Sequence, residues 1–296
     1  MAIDIQIKYI TNSRGERFFT QRWIPSRPKA LITLVHGFGD HSGRYSHVIN
    51  HFARQGYAVS AYDLRGHGLS DGRRGDCESF DQHVFDLHSF IWETAHEVRE
   101  GTPVVVVAMG VGAVIAMHYA TTYPRAIAGI VAVAPTLAPN IRAKSWQRWL
   151  GNKVGNLLPR LPVEFTFSPA DLTRDAEAIA AYQEDPYVFQ RLSMRAYRSF
   201  KEKINYVMPL AFRLRHPLMI VQAKEDRISS SEASERFFSE VIQDNKRLVL
   251  LNGAFHEPFN DMARGEAFAA VDDWLTDAIV GKGHATGVTG KGWNLK

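Results

Sequence analysis

The chain has 296 residues, of which 45% are hydrophobic, 22% charged and 11% aromatic, with a formal net charge of +4. This balance excludes a disordered, collagen-like or fibrous protein, and the length suits one large α/β domain or two small ones. A single cysteine, Cys77, excludes a disulfide framework and any zinc site built on several thiolates.

From the amino terminus, MAIDIQIKYI alternates Ile3, Ile5, Ile7 and Tyr9 with polar residues, the pattern of a half-buried strand rather than a signal peptide. A cytoplasmic setting is therefore expected. Segments 3–10 and 17–24 read as a hairpin around Asn12-Ser13-Arg14-Gly15. Residues 30–35 (ALITLV) form an apolar run suited to a strand buried on both faces. Next come a helical pattern over 45–55 closed by Gly56, a strand at 57–62, a long helix at 81–100 and a strand at 103–108. A helix at 111–122 and a strand at 127–133 follow. Repeated strand–helix alternation predicts a mostly parallel central sheet with helices on both faces.

Residues 136–210 break the rhythm with mixed helical patterns and no obvious buried strand, and read as a helical cap inserted into the sheet domain. Alternation resumes with a strand at 217–223, a helix at 230–242, a strand at 247–251 and a helix at 262–280. The core is thus expected over 1–135 and 211–280. The Gly- and Lys-rich residues 281–296 are expected to form a flexible tail. The apolar run 103–120 is split by Gly110 and Gly112, and a buried strand–turn–helix explains it better than a membrane span.

Charge is uneven. Residues 140–216 carry 13 Lys/Arg against 7 Asp/Glu, so the rest of the chain is net acidic. The basic middle suits either an anionic partner, such as a membrane surface or a phosphate-bearing substrate, or a solvated Arg-rich surface. No signature supports nucleic acid. No His and carboxylate spacing suggests a metal, no phosphate-binding G-x-x-x-x-G-K-[ST] loop is present, and no cofactor is expected.

Three stretches carry the chemistry, each after an expected strand. They are Leu34-Val35-His36-Gly37-Phe38-Gly39-Asp40-His41-Ser42-Gly43-Arg44-Tyr45, Tyr62-Asp63-Leu64-Arg65-Gly66-His67-Gly68-Leu69-Ser70, and Asn252-Gly253-Ala254-Phe255-His256-Glu257. On these runs, residues 15–280 resemble an α/β-hydrolase of the monoacylglycerol lipase and lysophospholipase group, of serine aminopeptidase S33 type. The resemblance implies His256 as general base and Asp226 as the acid that orients it, with adjacent Glu225 as the alternative. It implies backbone N–H groups of Phe38 and Val111 as oxyanion donors, with His36 and His67 shaping turns. An apolar acyl tunnel under the cap is implied too, with Phe38, Met109, Leu157 and Leu158 as wall candidates. Cap segments Asp171-Leu172-Thr173-Arg174-Asp175 and Tyr182-Gln183-Glu184-Asp185-Pro186 also look like the group's pattern.

The nucleophile elbow of such enzymes is a strand-to-helix turn, usually G-x-S-x-G. This chain has Ala108-Met109-Gly110-Val111-Gly112, and no Ser, Cys or Asp occurs from 103 to 120. Gly110 suits the strained turn but has no side chain to attack a carbonyl. Ala108, Met109 and Val111 also depart from the group's G-H-S-M-G, which points to a diverged elbow rather than a single engineered change. Three readings stay open: non-covalent ester, lyase or isomerase chemistry with His256 and Asp226 on a small lipophilic or ester-like substrate; a binding or scaffold pseudo-hydrolase; and an inactivated ester hydrolase. At the start of the cap, Trp146, Trp149, Leu150, Val154, Leu157 and Leu158 fall at helical spacing among basic residues. That stripe suits either peripheral contact with a membrane or packing over the sheet domain.

Overall fold

The structure, a computed structural model, describes residues 3–12, 14–140 and 157–281. Five short runs rich in Val, Ile, Leu and Ala are buried along their whole length, as strands covered on both faces must be. These are β3 (Leu31–Val35), β4 (Ala58–Tyr62), β5 (Val104–Met109), β6 (Gly129–Val133) and β9 (Leu218–Ala223). With β1 (Ile3–Thr11), β2 (Arg17–Pro25) and β10 (Lys246–Leu251) they form one eight-stranded sheet in the order β1-β2-β4-β3-β5-β6-β9-β10. Pairing is parallel from β4 to β10 and antiparallel for β1–β2 and β2–β4.

Alternate residues of the sheet feed two cores. Val104, Val106, Ala108, Ile130 and Ile220 meet the face covered by α2 (Asp81–Ala95), α3 (Val111–Thr122), α5 (Met194–Val207) and α6 (Ser231–Glu240). Val105, Val107, Met109, Val131 and Val221 meet α1 (Ser46–Arg54) and α7 (Arg264–Trp274) on the other. Helix α3 is buried over Val111–Ala120, so the apolar run that raised a membrane question is the central strand and helix of the domain. Among the described residues no helix is long and apolar enough to cross a membrane.

Several local expectations are corrected. The half-buried pattern of β1 has the opposite orientation: Ile5, Ile7 and Tyr9 are 57%, 62% and 47% exposed. The other face turns inward because Ile10 packs on the core and Lys8 Nζ pairs with Glu97 at 3.0 Å. The helix expected over 81–100 ends at Ala95, where the chain leaves the helical path and Glu97 pairs with Lys8 and with the fully buried Arg22. The last helix is α-helical only to Trp274 and continues as a π-turn over Leu275–Val280.

The connection between β6 and β9 contains, besides α4 (Ala176–Glu184) and α5, two strands that the sequence reading missed. These are β7 (Pro162–Glu164) and β8 (Arg191–Ser193), an antiparallel pair that buries Val163 and Leu192. Three-residue strands are too short for a period-2 pattern to stand out. Hydrogen bonds hold this connection over the carboxyl ends of the sheet: Phe189 N–H to Gly39 O at 3.0 Å, Glu257 N–H to Leu172 O at 2.8 Å, and Thr173 Oγ1 to Asn260 O at 2.8 Å. The Trp146-to-Val154 part of the predicted stripe, and the tail beyond Gly281, lie outside the described residues.

Candidate active site

Parallel sheets gather functional loops at their carboxyl ends, and five strands deliver residues to one cavity here. Gly37 and Phe38 follow β3, Gly110 and Val111 follow β5, Thr136 follows β6, Ile228 follows β9, and His256 and Glu257 follow β10. The cavity holds about 90 Å³. That is below the roughly 300–1,000 Å³ of drug-sized pockets, so it has room for a reacting group and little more.

Asp226 and His256 meet. The imidazole Nδ1 lies 2.9 Å from Asp226 Oδ2 and 3.1 Å from Oδ1. Asp226 also accepts hydrogen bonds from Ile228 N–H at 2.8 Å, Ser229 N–H at 2.9 Å and Gln222 Nε2 at 2.9 Å. Burial alone would raise its carboxyl. The His256 charge and these donors outweigh that and hold it below its ordinary value. Burial likewise disfavours a charged imidazole, but Asp226, with Glu257 and Asp40 behind it, raises His256 above its ordinary value. Glu225, the sequence alternative, instead accepts the Gly253 N–H at 2.6 Å.

Gly110 occupies the turn between β5 and α3 with φ +53° and ψ −119°. Only glycine adopts this conformation without strain. Its N–H donates to Val133 O at 3.0 Å and its carbonyl accepts from Thr136 N–H at 3.1 Å, which pins the turn. A Cβ built there would lie 3.6 Å from His256 Nε2 and 3.6 Å from Thr136 Oγ1, with no closer heavy-atom neighbour. Gly112 has a different constraint. A Cβ on it would stand 2.4 Å from His36 O and 2.7 Å from Val35 O, so the start of α3 rests directly on the backbone after β3.

That approach sets Phe38 and Val111 side by side on the cavity wall. Neither backbone N–H donates to any acceptor among the described residues. His36 is fully buried; its Nδ1 lies 2.7 Å from Gly37 O and its Nε2 accepts from Leu64 N–H at 2.8 Å. Those two contacts, with a value lowered chiefly by burial, define a neutral imidazole that braces two loops. His67, buried and bonded to Arg65 O, is pushed down to about 3 and is neutral as well. Asp63 anchors the turn from Ser42 by accepting from its N–H and its hydroxyl at 2.7 and 2.6 Å.

Met109 lines the cavity. Leu157 and Leu158 do not: they are 79% and 51% exposed and lie off the cavity wall. The family resemblance made them wall candidates, but the chain at this point is a turn leading into β7.

Sequence reasoning missed Thr136 and the ionic cluster at the other end of the cavity. Thr136 is delivered by Ala134, which has a left-handed φ of 44° unusual for a residue with a side chain, and no propensity rule marks it. Arg44 pairs with Asp40 at 3.0 Å and in a fork with Glu257 at 2.9 and 2.7 Å, beneath the Tyr182 ring. Tyr45 donates to the second Asp40 oxygen at 2.6 Å. The D-H-S-G-R run contained the signal, since it sets Arg44 four residues after Asp40. Among the described residues no group of three or more His, Cys, Asp or Glu could hold a metal ion.

The family described as serine aminopeptidase, S33, matches residues 26–263. The chain belongs to that family. Its sheet order and crossovers are those of an α/β-hydrolase, and it falls in the monoacylglycerol lipase-like group of the superfamily. A monoacylglycerol lipase of Mycolicibacterium smegmatis is 28% identical over 90% of this chain and 95% of its own length. The crystal structure of Paleococcus ferrophilus monoacylglycerol lipase superposes with a TM-score of 0.79 at 30% identity, covering 88% of this chain and 99% of that one. An uncharacterized abhydrolase domain-containing protein of Dictyostelium discoideum is 29% identical over 92% of this chain, which spans only 29% of that longer protein.

Proposed function

We propose that this S33-family chain hydrolyses an ester-type bond in a small lipophilic substrate by a water-dependent route, without an acyl-enzyme. The observation that carries the proposal is the geometry at Gly110: a Cβ there would stand 3.6 Å from both His256 Nε2 and Thr136 Oγ1, so the side-chain position between them is the glycine's to leave unfilled. A water held between them donates a proton to Nε2 while its oxygen attacks the substrate carbonyl carbon. The carbonyl electron pair moves onto oxygen, where the Phe38 and Val111 N–H groups receive it. On collapse, the imidazolium returns the proton to the departing alkoxide, and Asp226 stabilises its charge throughout.

The relatives named as monoacylglycerol lipases support a fatty-acid ester of glycerol as the substrate class. Arg44, Glu257 and Tyr182 supply polar atoms suited to the alcohol end. Residues 136–210 act as a cap in this reading, with the basic and aromatic stripe at 145–158 resting on a lipid surface. Retention of the glycine-shaped turn favours one alternative, a hydrolase silenced by loss of its hydroxyl.

The test is hydrolysis of a short-chain aryl ester and of a monoacylglycerol by the chain itself and by the His256→Ala, Gly110→Ser and Gly110→Ser/His256→Ala variants. The proposal expects turnover by the unmodified chain, abolished in His256→Ala. The rate should rise with pH through an inflection above the ordinary imidazole value, because the base must be neutral and Asp226 raises it. Activity confined to Gly110→Ser would replace the proposal with the silenced-hydrolase reading. Inactivity of all four proteins would favour a ligand-binding role.

A further inference from the structure

A second concentration of functional groups lies away from the cavity, where the loop after β4 meets the connection between β6 and β9. Arg73 and Arg74 from the loop, and Arg160 and Arg191 from the connection, line one depression of about 290 Å³ with Ser193 at its edge. Among the described residues no acidic side chain lines it. Arg73, Arg74 and Arg191 make no ion pair among the described residues, and Arg160 reaches a carboxylate only at 4.0 Å, at Asp76. That carboxylate is already engaged by Arg195 at 2.7 and 2.6 Å and by the Ser193 hydroxyl at 2.6 Å.

Arg74 is fixed on the loop: one of its terminal nitrogens donates to Gly68 O, and Nη1 is buried, with no hydrogen-bond partner among the described residues. Residues 141–156, which complete the connection, contain Arg142, Lys144, Arg148 and Lys153 and no Asp or Glu, so that stretch brings no counter-charge. Four guanidinium groups around a concave surface create a strongly positive potential, and their planar forks match the oxygens of a tetrahedral anion.

We propose that this arginine-lined depression is a binding site for a phosphate group, separate from the catalytic cavity. A phosphate held between Arg73 of the loop and Arg160 and Arg191 of the connection ties the connection to the core. The Ser193 N–H already donates to Gly75 O at 2.8 Å beside the site, and Phe189, two residues before Arg191, packs edge-on against Phe38 at 5.5 Å. The same phosphate chemistry is offered by a soluble phosphate and by the head group of an anionic phospholipid.

Two arms of one experiment distinguish these sources. Inorganic phosphate is titrated calorimetrically into the full chain at constant ionic strength, with Tm compared in phosphate and in chloride. Flotation is measured with phosphatidylcholine vesicles with and without phosphatidic acid. The Arg73→Gln/Arg191→Gln variant, checked for folding by its Tm in chloride, is run in both arms. Saturable phosphate binding with a raised Tm, weakened about tenfold or more in the variant, supports the site and assigns a soluble ligand. Flotation that requires phosphatidic acid and is lost in the variant, without binding of the free ion, supports the site and assigns a lipid. Absence of binding in both arms, or binding indifferent to the substitutions, overturns the proposal. Should the double variant fail to fold, Arg191→Gln alone, at an exposed side chain, carries the same comparison.

Discussion

Replacing Asp226 with Asn keeps the shape of the buried pair and removes its charge. In the native protein Oδ1 accepts the Ile228 and Ser229 N–H groups, and Oδ2 faces Gln222 Nε2 and His256 Nδ1, both at 2.9 Å. An amide whose oxygen keeps the two backbone donors turns its own NH2 toward Gln222, donor against donor, and toward His256. His256 then has to accept at Nδ1, which moves its proton to Nε2 and removes the base. Breaking a buried charge pair in this way costs about 3 kcal/mol. At roughly 2–4 °C per kcal/mol for a domain of this size, Tm falls by roughly 6–12 °C.

The penalty depends on pH with a definite sign. His256 is raised in the folded state, so its contribution is complete below the unfolded imidazole value and is lost as pH rises through the folded one. Asp226 is depressed, so the carboxylate half of the pair persists down to acid pH. The destabilisation by Asp226→Asn should therefore be larger at about pH 5.5 than at about pH 9, where the imidazole is neutral in both proteins. Urea unfolding at the two pH values measures the difference. An NMR titration of the His256 ring should show its inflection falling, since burial is then opposed only by Glu257 and Asp40. A penalty flat with pH, or an unmoved inflection, would refute the pairing argument.

Other outcomes follow from the same geometry. Gly110→Ser should fold and lose about 1–2 kcal/mol, because its Cβ meets only van der Waals neighbours but must adopt a left-handed φ; thermal unfolding checks this. Gly112→Ala should lose about 3 kcal/mol or more, since its methyl meets backbone carbonyls at 2.4 and 2.7 Å that cannot rotate away; equal stability to the native chain would contradict the close approach. Arg44→Met leaves Asp40 and Glu257 buried without their cation and should cost about 3–5 kcal/mol near neutrality. Asp40 sits where burial raises a carboxyl and Arg44 lowers it, with a net depression. Losing Arg44 raises Asp40, so the Arg44→Met deficit should shrink as the solution is acidified through the carboxylate range, as read by denaturant midpoints.

The sequence alone determined the order of the central-sheet strands and their helices, because these rest on local pattern. Short apolar runs such as 103–108 and 127–133, alternating with helical patterns, suit interior strands, and the glycine-rich turn after 103–108 then lies at a strand's carboxyl end. Asp226 and His256 were legible as a pair only through the family resemblance of their loops, with Glu225 as the alternative, and Gly110 through the missing side chain in a diverged elbow. Tertiary structure decided whatever depends on distant partners. Alternation in β1 could not say which face turns inward; the contact of Lys8 with Glu97, 89 residues away, and the packing of Ile10 do so. The family resemblance placed Leu157 and Leu158 on an inner wall, yet a turn there leaves both exposed. Thr136 and the Arg44 cluster belong to the cavity because loops from separate strands converge, and the arginines at 73, 74, 160 and 191 meet for the same reason. Convergence of that kind is set by the sheet, whose parallel register brings the strand ends together, and no local window of the chain contains it.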